Sequence, residues 1–580
     1  MDVASVLSNV AKKQNILKLL TVLQLTAYLW PPDATLKDGE SADFIIIGGG
    51  TAGSIIASYL VKHKNISVIV IEAGGMGEFE TQQPGLYPFL AKTEYDWKFT
   101  TEPDVTMKPP NKRIIQQGKV LGGCSQIGFA GYGIGHPKDY AKWAAITNDS
   151  SWTLENLYPL IKRTEKVTDK TILNSPDVVF HGTEGKLRLK KYHSGINDGF
   201  FEAYKEMGID VLNDINSNHT FGYTNSFNTI GDGNRQSTAY SFLSPERENP
   251  NLKVAYHSLA TKIIFDVNKR AVAVRVLTKD KKYITIYVKK EVIVTAGAFK
   301  SPQLLMLSGI GPRYHLESKR IKVISDLPVG QNLQDQPSTV MVYKMGPKRP
   351  VPPQNPHELP TQLMEGRVAI DKCQNRADYL IRSSLFLTNL SFLQACSFIF
   401  NIRNEVCDRL QKALSQRQAH LVTHLLLYPG SRGEVLLRST NPEENPIIKP
   451  RYYSNPRDLE RHAEYLEHYN RIVNTSYFRR LDAELVDPGL ERCKGLKKGS
   501  NAYWKCYVLG MASTLHNYVG TCAMGSVVDS ELRLIGVKRV RVADASVMPE
   551  IVGATVQGTV YIIAQKLVDI LFKEYNLSTH

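Results

Sequence analysis

Cysteine is scarce in this chain: 7 residues among 580, at scattered positions and with no CxxC pair. That excludes a disulfide mini-scaffold and argues against a structural zinc site, so no metal is expected. No apolar run spans a bilayer comfortably, and no firm membrane partner follows. Basic stripes interleaved with aromatics, zinc-finger and RNP-type motifs and internal repeats are all missing. The net charge of +15 therefore reads as a solvated surface, and nucleic acid is not an expected partner. With 42% apolar and 22% charged residues, the chain is neither collagen-like, coiled-coil nor disordered. Its length exceeds what one core serves, so two or more lobes are expected.

One apolar stretch, residues 16–30 (ILKLLTVLQLTAYLW), follows Lys12 and Lys13. A basic region before an apolar one has the layout of a secretory signal, although no small-x-small cleavage site precedes Pro31 and Pro32. The alternative is an amphipathic leader helix packed on the body. Sequons at Asn65, Asn148, Asn218, Asn389, Asn474 and Asn576 permit glycosylation. Cys493 and Cys506 are close enough in sequence to bridge a loop, which would fit an oxidising, extracellular setting.

The first ordered unit starts at Asp43. Phe44, Ile45, Ile46 and Ile47 form a continuous apolar run, the pattern of a strand buried on both faces. Glycines follow, then Ser54 to Lys62 with Ile55, Ile56, Tyr59 and Leu60 at helical spacing. Residues 67–71 (SVIVI) give a second buried strand ending at Glu72. This is a βαβ unit. Further strands are expected at 253–256, 262–266, 272–276, 291–294, 420–427 and 539–542. A Pro-rich stretch at 348–360 and a polar one near 403–418 are expected to separate two halves.

Between the first strand and helix stands Gly48-x-Gly50-x-x-Gly53. Gly48 permits a tight turn, Gly50 lets backbone approach a pyrophosphate, and Gly53 allows close helix–strand packing. Thr51 and Ala52, between Gly50 and Gly53, are expected to bind the cofactor with them, before a helix N-terminus that would meet that anion. Glu72 can accept the adenosine ribose hydroxyls, and its charge would repel a 2′-phosphate. The unit predicts a dinucleotide without choosing between FAD and NAD.

A second glycine cluster runs through Gly118, Val120, Gly122, Gly123 and Ser125, where small residues let backbone pass close to a flat cofactor. Near the C-terminus, residues 539–546 (RVRVADAS) read as a strand delivering Asp544 and Ala545 to a turn. Asp544 could bond a ribityl chain or order the pyrophosphate region. Separate segments converging on one cofactor favour FAD, which lies extended across its domain.

Over residues 43–572 the chain resembles the glucose–methanol–choline flavoprotein oxidoreductases, especially their insect members of glucose dehydrogenase and ecdysone oxidase type. The motifs are GKVLGG (118–123), AGAFKSPQLLMLSGIGP (296–312), LPVGQNLQD (327–335), SRGEVLLRSTNP (431–442), HNYVGTCAMG (516–525) and RVADASVMP (541–549). The resemblance implies an α/β fold: a Rossmann-like FAD-binding domain with an interleaved α+β substrate domain on an antiparallel sheet. It implies a leader over 1–40, an N-terminal region at 41–340, a variable pocket region at 341–425 and a C-terminal region at 426–575. It also implies non-covalent FAD, a small-molecule alcohol oxidised at its CH–OH group, and oxygen or a quinone as electron acceptor.

That chemistry needs a base for the alcohol proton while hydride leaves for the flavin, and histidine suits the task. The motif selects His516 among 14 histidines. Gly122 and Gly123 are expected to bring backbone N–H groups near the flavin edge. The chain also departs from the family pattern. Thr555 stands where a second His or Asn is usual, Gly128 where Asn is, Ile134 where Arg is, and Gln336 where His follows the Asp of LPVGQNLQD. A hydroxyl can still make one hydrogen bond but cannot share charge as imidazole does. The alternative is therefore a weakened or inactive FAD-binding member. Residues 359–401, rich in Leu, Phe and Ile, favour a bulky apolar alcohol, such as an ecdysteroid, over a free sugar; a buried core explains them equally well.

Overall fold

The computed structural model describes residues 8–9, 12–13, 26–104, 106, 112–193, 197–217, 221–348, 355–359, 363–386 and 389–577. The apolar centre of the leader, residues 16–25, and the sequon at Asn218 lie outside them. Where the leader ends, Trp30 is buried and its indole N–H donates to Gly77 O at 2.6 Å. The chain then joins a sheet edge, with Ala34 N–H on Val254 O.

The first sheet contains β1 (Ser41–Ile47), β2 (Val68–Ile71), β3 (Leu252–Ala255), β4 (Leu259–Phe265), β5 (Ala271–Leu277), β6 (Tyr283–Val294) and β7 (Val540–Val542). Their order is β3-β2-β1-β6-β5-β4, and β7 also pairs with β6. β3, β2, β1, β6 and β7 run parallel, with Ile45 opposite Ile69 and Val292 opposite Val540. β5 joins the first half of β6 antiparallel, Leu277 opposite Tyr283. Helices α1 (Thr51–Leu60) and α3 (Gln557–Glu574) pack together beside this sheet. Covering both faces is what makes β1 and β2 continuous apolar runs. The strand expected at 291–294 is only the end of β6, whose first half exposes Tyr283 and Tyr287.

The second sheet is antiparallel. Its strands follow the order 484–485, 337–347, 417–426, 379–386, 364–368, 222–225, and 512–514 also pairs with 337–347. The chain leaves the first sheet after β6, builds most of the second, and returns through β7. Two large apolar cores result, one around each sheet. This is the expected α/β architecture with an interleaved antiparallel unit.

Residues 348–360 and 403–418 do not separate two halves. Strands 337–347 and 417–426 pair along their length, from Ser338 opposite Leu425 to Pro347 opposite Arg417. The intervening chain, of which residues 349–354, 360–362 and 387–388 lie outside those described, adds strands 364–368 and 379–386 to the same sheet. Within it, the helix Asn404–Leu414 buries Val406, Cys407, Leu410 and Leu414 on one face. Cys407 is bonded to Cys396, and Cys493 to Cys506 as expected. Cys124, Cys373 and Cys522 are free thiols.

Candidate active site

The turn after β1 shapes the first half of the site. Gly48 has φ +98°, a region that disfavours a side chain. A Cβ at Gly53 would fall 2.1 Å from Gly48 O, so helix and turn touch only because it is absent. Gly50 differs. A Cβ there would meet nothing closer than 3.7 Å, so protein atoms do not demand this glycine. It borders a cavity of about 630 Å³, lined also by Gly48, Glu72 and Thr295, which directly follow β1, β2 and β6, and by Ala260 and Lys300. Thr51, Ala52 and Gly53 begin α1, where backbone N–H groups have no intrahelical acceptor. Ala52 itself is buried in the core.

Glu72 is buried, with one oxygen accepting Gly49 N–H at 2.9 Å and the other Gly74 N–H at 2.7 Å. Burial raises its pKa, against the pull of those two bonds and of Lys119. One lone pair on each oxygen is left for a ligand. Lys300 is buried with its Nζ on Gln303 Oε1 at 2.8 Å, and burial lowers its pKa to about 7.

Gly118 borders this cavity and also a second one of about 920 Å³. Gly118, Ser125, His516, Ala545 and Thr555 line the second cavity, while Gly123 lines the first. The loop contributes shape rather than free donors. Gly122 N–H donates to Gly49 O and Gly123 N–H to Val120 O, both at 2.8 Å, so neither amide is available to a flavin as expected. A Cβ at Gly123 would lie 2.9 Å from Gly50 Cα. The Ser125 hydroxyl donates to Gly122 O at 2.6 Å and accepts Thr238 N–H at 3.0 Å. Val120 packs with Leu90, Tyr95 and Ile127, outside both linings. Asp544 is buried between β7 and the helix α2 (Gly297–Leu307), accepting Gly297 N–H at 2.8 Å and the Ser301 hydroxyl at 2.6 Å.

His516 stands on strained backbone, φ +62°. Its ring Nδ1 is buried without a hydrogen-bond partner among the described residues, and so is Thr555 Oγ1. Both side chains line the second cavity. Burial lowers the imidazole pKa to about 4. The turn is held from beneath by Asp335. Its Oδ1 accepts Asn517 N–H at 3.0 Å, and its Oδ2 accepts the Thr514 and Tyr452 hydroxyls at 2.5 Å each. Thr514 Oγ1 in turn accepts His516 N–H at 2.8 Å. Burial pushes the Asp335 carboxyl up to about 6. Next to it, Gln336 Oε1 accepts from Asn517 Nδ2 at 2.9 Å, and its amide donates to Val552 O at 2.9 Å. Gly128 lines the second cavity, whereas Ile134 is buried in the core.

A third cavity of about 430 Å³ adjoins the second, sharing Phe129, Arg382 and Leu515. Its other walls include Tyr87, Leu363, Phe386, Phe400 and Leu421. Arg382 is ion-paired to Glu365, which also faces Arg367. Sequence reading missed Asp335, Lys300, Glu365 and Arg382, although Asp335 ended a recognised motif and Arg382 interrupts an apolar strand (YLIRSSLF).

Two unpartnered polar atoms, a glycine that only a ligand would require and two cavities meeting at Gly118 fit an extended dinucleotide. The fold and site are those of an FAD-dependent oxidoreductase. Family models described as GMC oxidoreductase match residues 42–338 and 429–564. The ecdysone oxidase of Spodoptera littoralis is 33% identical over 94% of this chain and 94% of that protein. Glucose dehydrogenase [FAD, quinone] of Drosophila melanogaster is 30% identical over 90% of this chain and 85% of that protein. The crystal structure of pyridoxine 4-oxidase from Mesorbium loti superposes with a TM-score of 0.80 at 25% identity, covering 93% of this chain and all of the other. The chain belongs to the GMC oxidoreductases, FAD-dependent enzymes that oxidise alcohols.

Proposed function

We propose that the alcohol is bulky and apolar, an ecdysteroid or a molecule of that build, and that His516 takes its hydroxyl proton. The observation that carries this is the apolar third cavity, which shares Phe129, Arg382 and Leu515 with the chamber holding His516 and Thr555. The ecdysone oxidase relatives support it. Bound FAD supplies the hydride acceptor. Glu72 would hold the adenosine ribose, the turn from Gly48 through Gly53 the pyrophosphate, Gly118 to Ser125 the passage between the chambers, and Asp544 with Ala545 the wall beyond.

His516 is neutral near neutral pH because burial disfavours its charge, so it can accept a proton without first losing one. Thr555, with no partner among the described residues, offers its hydroxyl to the carbinol oxygen. Oxygen or a quinone would take the electrons onward. The two disulfides fit secretion, with a leader over 1–40 and regions at 41–340, 341–425 and 426–575.

Anaerobic flavin reduction against an ecdysteroid, an aryl alcohol and a free sugar tests the substrate class. The ecdysteroid should bleach the flavin at the lowest half-saturating concentration. Bleaching by the sugar alone would overturn the reading.

A further inference from the structure

Two of the three cavities are explained by the cofactor and the reacting carbinol; the guanidinium between the second and third is not. Arg382 is 7% exposed and borders both. Its Nε and Nη2 donate to Glu365 Oε2 at 3.0 and 2.9 Å. Nη1 has no bond to any described residue. Glu365 is 1% exposed, and its other oxygen lies 3.8 Å from Arg367 Nη2 without a hydrogen bond. Arg367 is 2% exposed; its Nη1 donates to Ile215 O and its Nη2 to Asn216 Oδ1, both at 3.2 Å, and its Nε has no partner among the described residues. One carboxylate thus serves two buried guanidinium groups, leaving an excess positive charge beside the cavities.

The surroundings fix where this charge points. A Cβ on Gly131 would fall 2.4 Å from Arg382 Nη2 and 2.8 Å from Nη1, so the guanidinium lies flat against glycine backbone. Nε and one N–H of Nη2 are on Glu365, so both N–H groups of Nη1 and the second of Nη2 remain as donors. They stand among Phe129, Leu515 and the apolar walls beyond.

We propose that Arg382 anchors the substrate through a second oxygen, a ketone or hydroxyl carried on its apolar body away from the carbinol that is oxidised. The preferred alcohol is then apolar in shape but oxygenated at two separated points. This rests on the second and third cavities being the alcohol's site. A buried donor without its acceptor is costly, which gives such a site its selectivity against analogues lacking that oxygen.

The test uses FAD-loaded full-length enzyme and two unreactive ketosteroids, androstane-3,17-dione and androstan-3-one, titrated through the change they cause in the flavin absorption. The wild type should bind the dione about 10-fold or more tighter. Arg382→Met, which leaves Glu365 facing Arg367 and so orphans no carboxylate, should reduce that ratio to about 2-fold or less. Gly131→Ala keeps both charges, displaces the guanidinium and should do the same. Equal affinity for the two steroids, no measurable binding of either, or an unchanged ratio in the variants overturns the anchor. So does a shift of the ligand-free flavin spectrum in the variants with the ratio preserved, since Arg382 would then act on the cofactor. Reduction by the matching 3-hydroxysteroids is read separately. If the dione preference depends on Arg382 but neither alcohol bleaches the flavin, the oxidation reading fails while the anchor stands.

Discussion

Asp335 Oδ1 accepts the amide N–H of Asn517 at 3.0 Å, and this bond ties the turn carrying His516 to the start of strand Pro337–Pro347 in the second sheet. Oδ2 of the same carboxylate takes the hydroxyl of Thr514, whose oxygen receives the His516 amide. The proposed base is thus positioned at one remove by a buried acid. Asp335→Ala should keep FAD yet slow flavin reduction about 10²-fold, the order of loss that small misplacements produce. Stopped-flow reduction rates with flavin content as a control will show it.

The acid side of the pH profile should carry two steps. Asp335 gains a proton near pH 6, weakening an oxygen that accepts two hydroxyls, and His516 gains one near pH 4. Reduction should fall first around pH 6 and again around pH 4. Asp335→Asn should remove the upper step and keep the lower. Stability follows the same shifts in opposite directions. His516, depressed from 6.5, contributes fully above about pH 6.5, and that contribution is lost as pH falls towards 4. Asp335, raised from 3.8, contributes fully below about pH 3.8, and its contribution fades as pH rises through 6.

Gly50→Val separates folding from cofactor loading. Protein atoms leave room for a Cβ at this position, so the variant should fold, while its side chain enters the first cavity. The purified protein should be colourless, with a circular-dichroism spectrum like that of flavin-stripped wild type. Full yellow colour would remove Gly50 from the cofactor site.

Replacing Cys396 and Cys407 together by serine opens a loop at a sequence separation of 11. Chain entropy makes that worth about 3 kcal/mol. The third cavity is lined by Ala395, Ile399 and Phe400 beside this bond. Unfolding in denaturant should therefore come earlier, and the half-saturating concentration for a bulky alcohol should rise more than that for a small one.

The parts of this molecule that were legible in the sequence are those with one local cause. β1 and β2 are covered on both faces and so read as Phe44–Ile47 and the apolar run ending at Ile71. Of the second sheet, only the strand expected at 420–427 was legible, as Arg417–Leu426. Strand Tyr379–Phe386 is buried except at half-buried Leu385, yet it carries Arg382, Ser383 and Ser384, which breaks any period-two alternation. Long-range pairing was equally hidden. Nothing in the order of residues says that Thr514 and Asn517 meet Asp335, or that Arg382 lies against Gly131. Gly122 and Gly123 were read as donors, but the carbonyls that take their amides come partly from another segment, at Gly49.

The most direct test of the account is anaerobic flavin bleaching by the preferred alcohol in wild type and His516→Ala. The variant should retain its FAD and yellow colour while reduction slows by about 10²- to 10⁴-fold, the usual contribution of a positioned base. Reduction at the wild-type rate in a fully loaded His516→Ala enzyme would contradict the account.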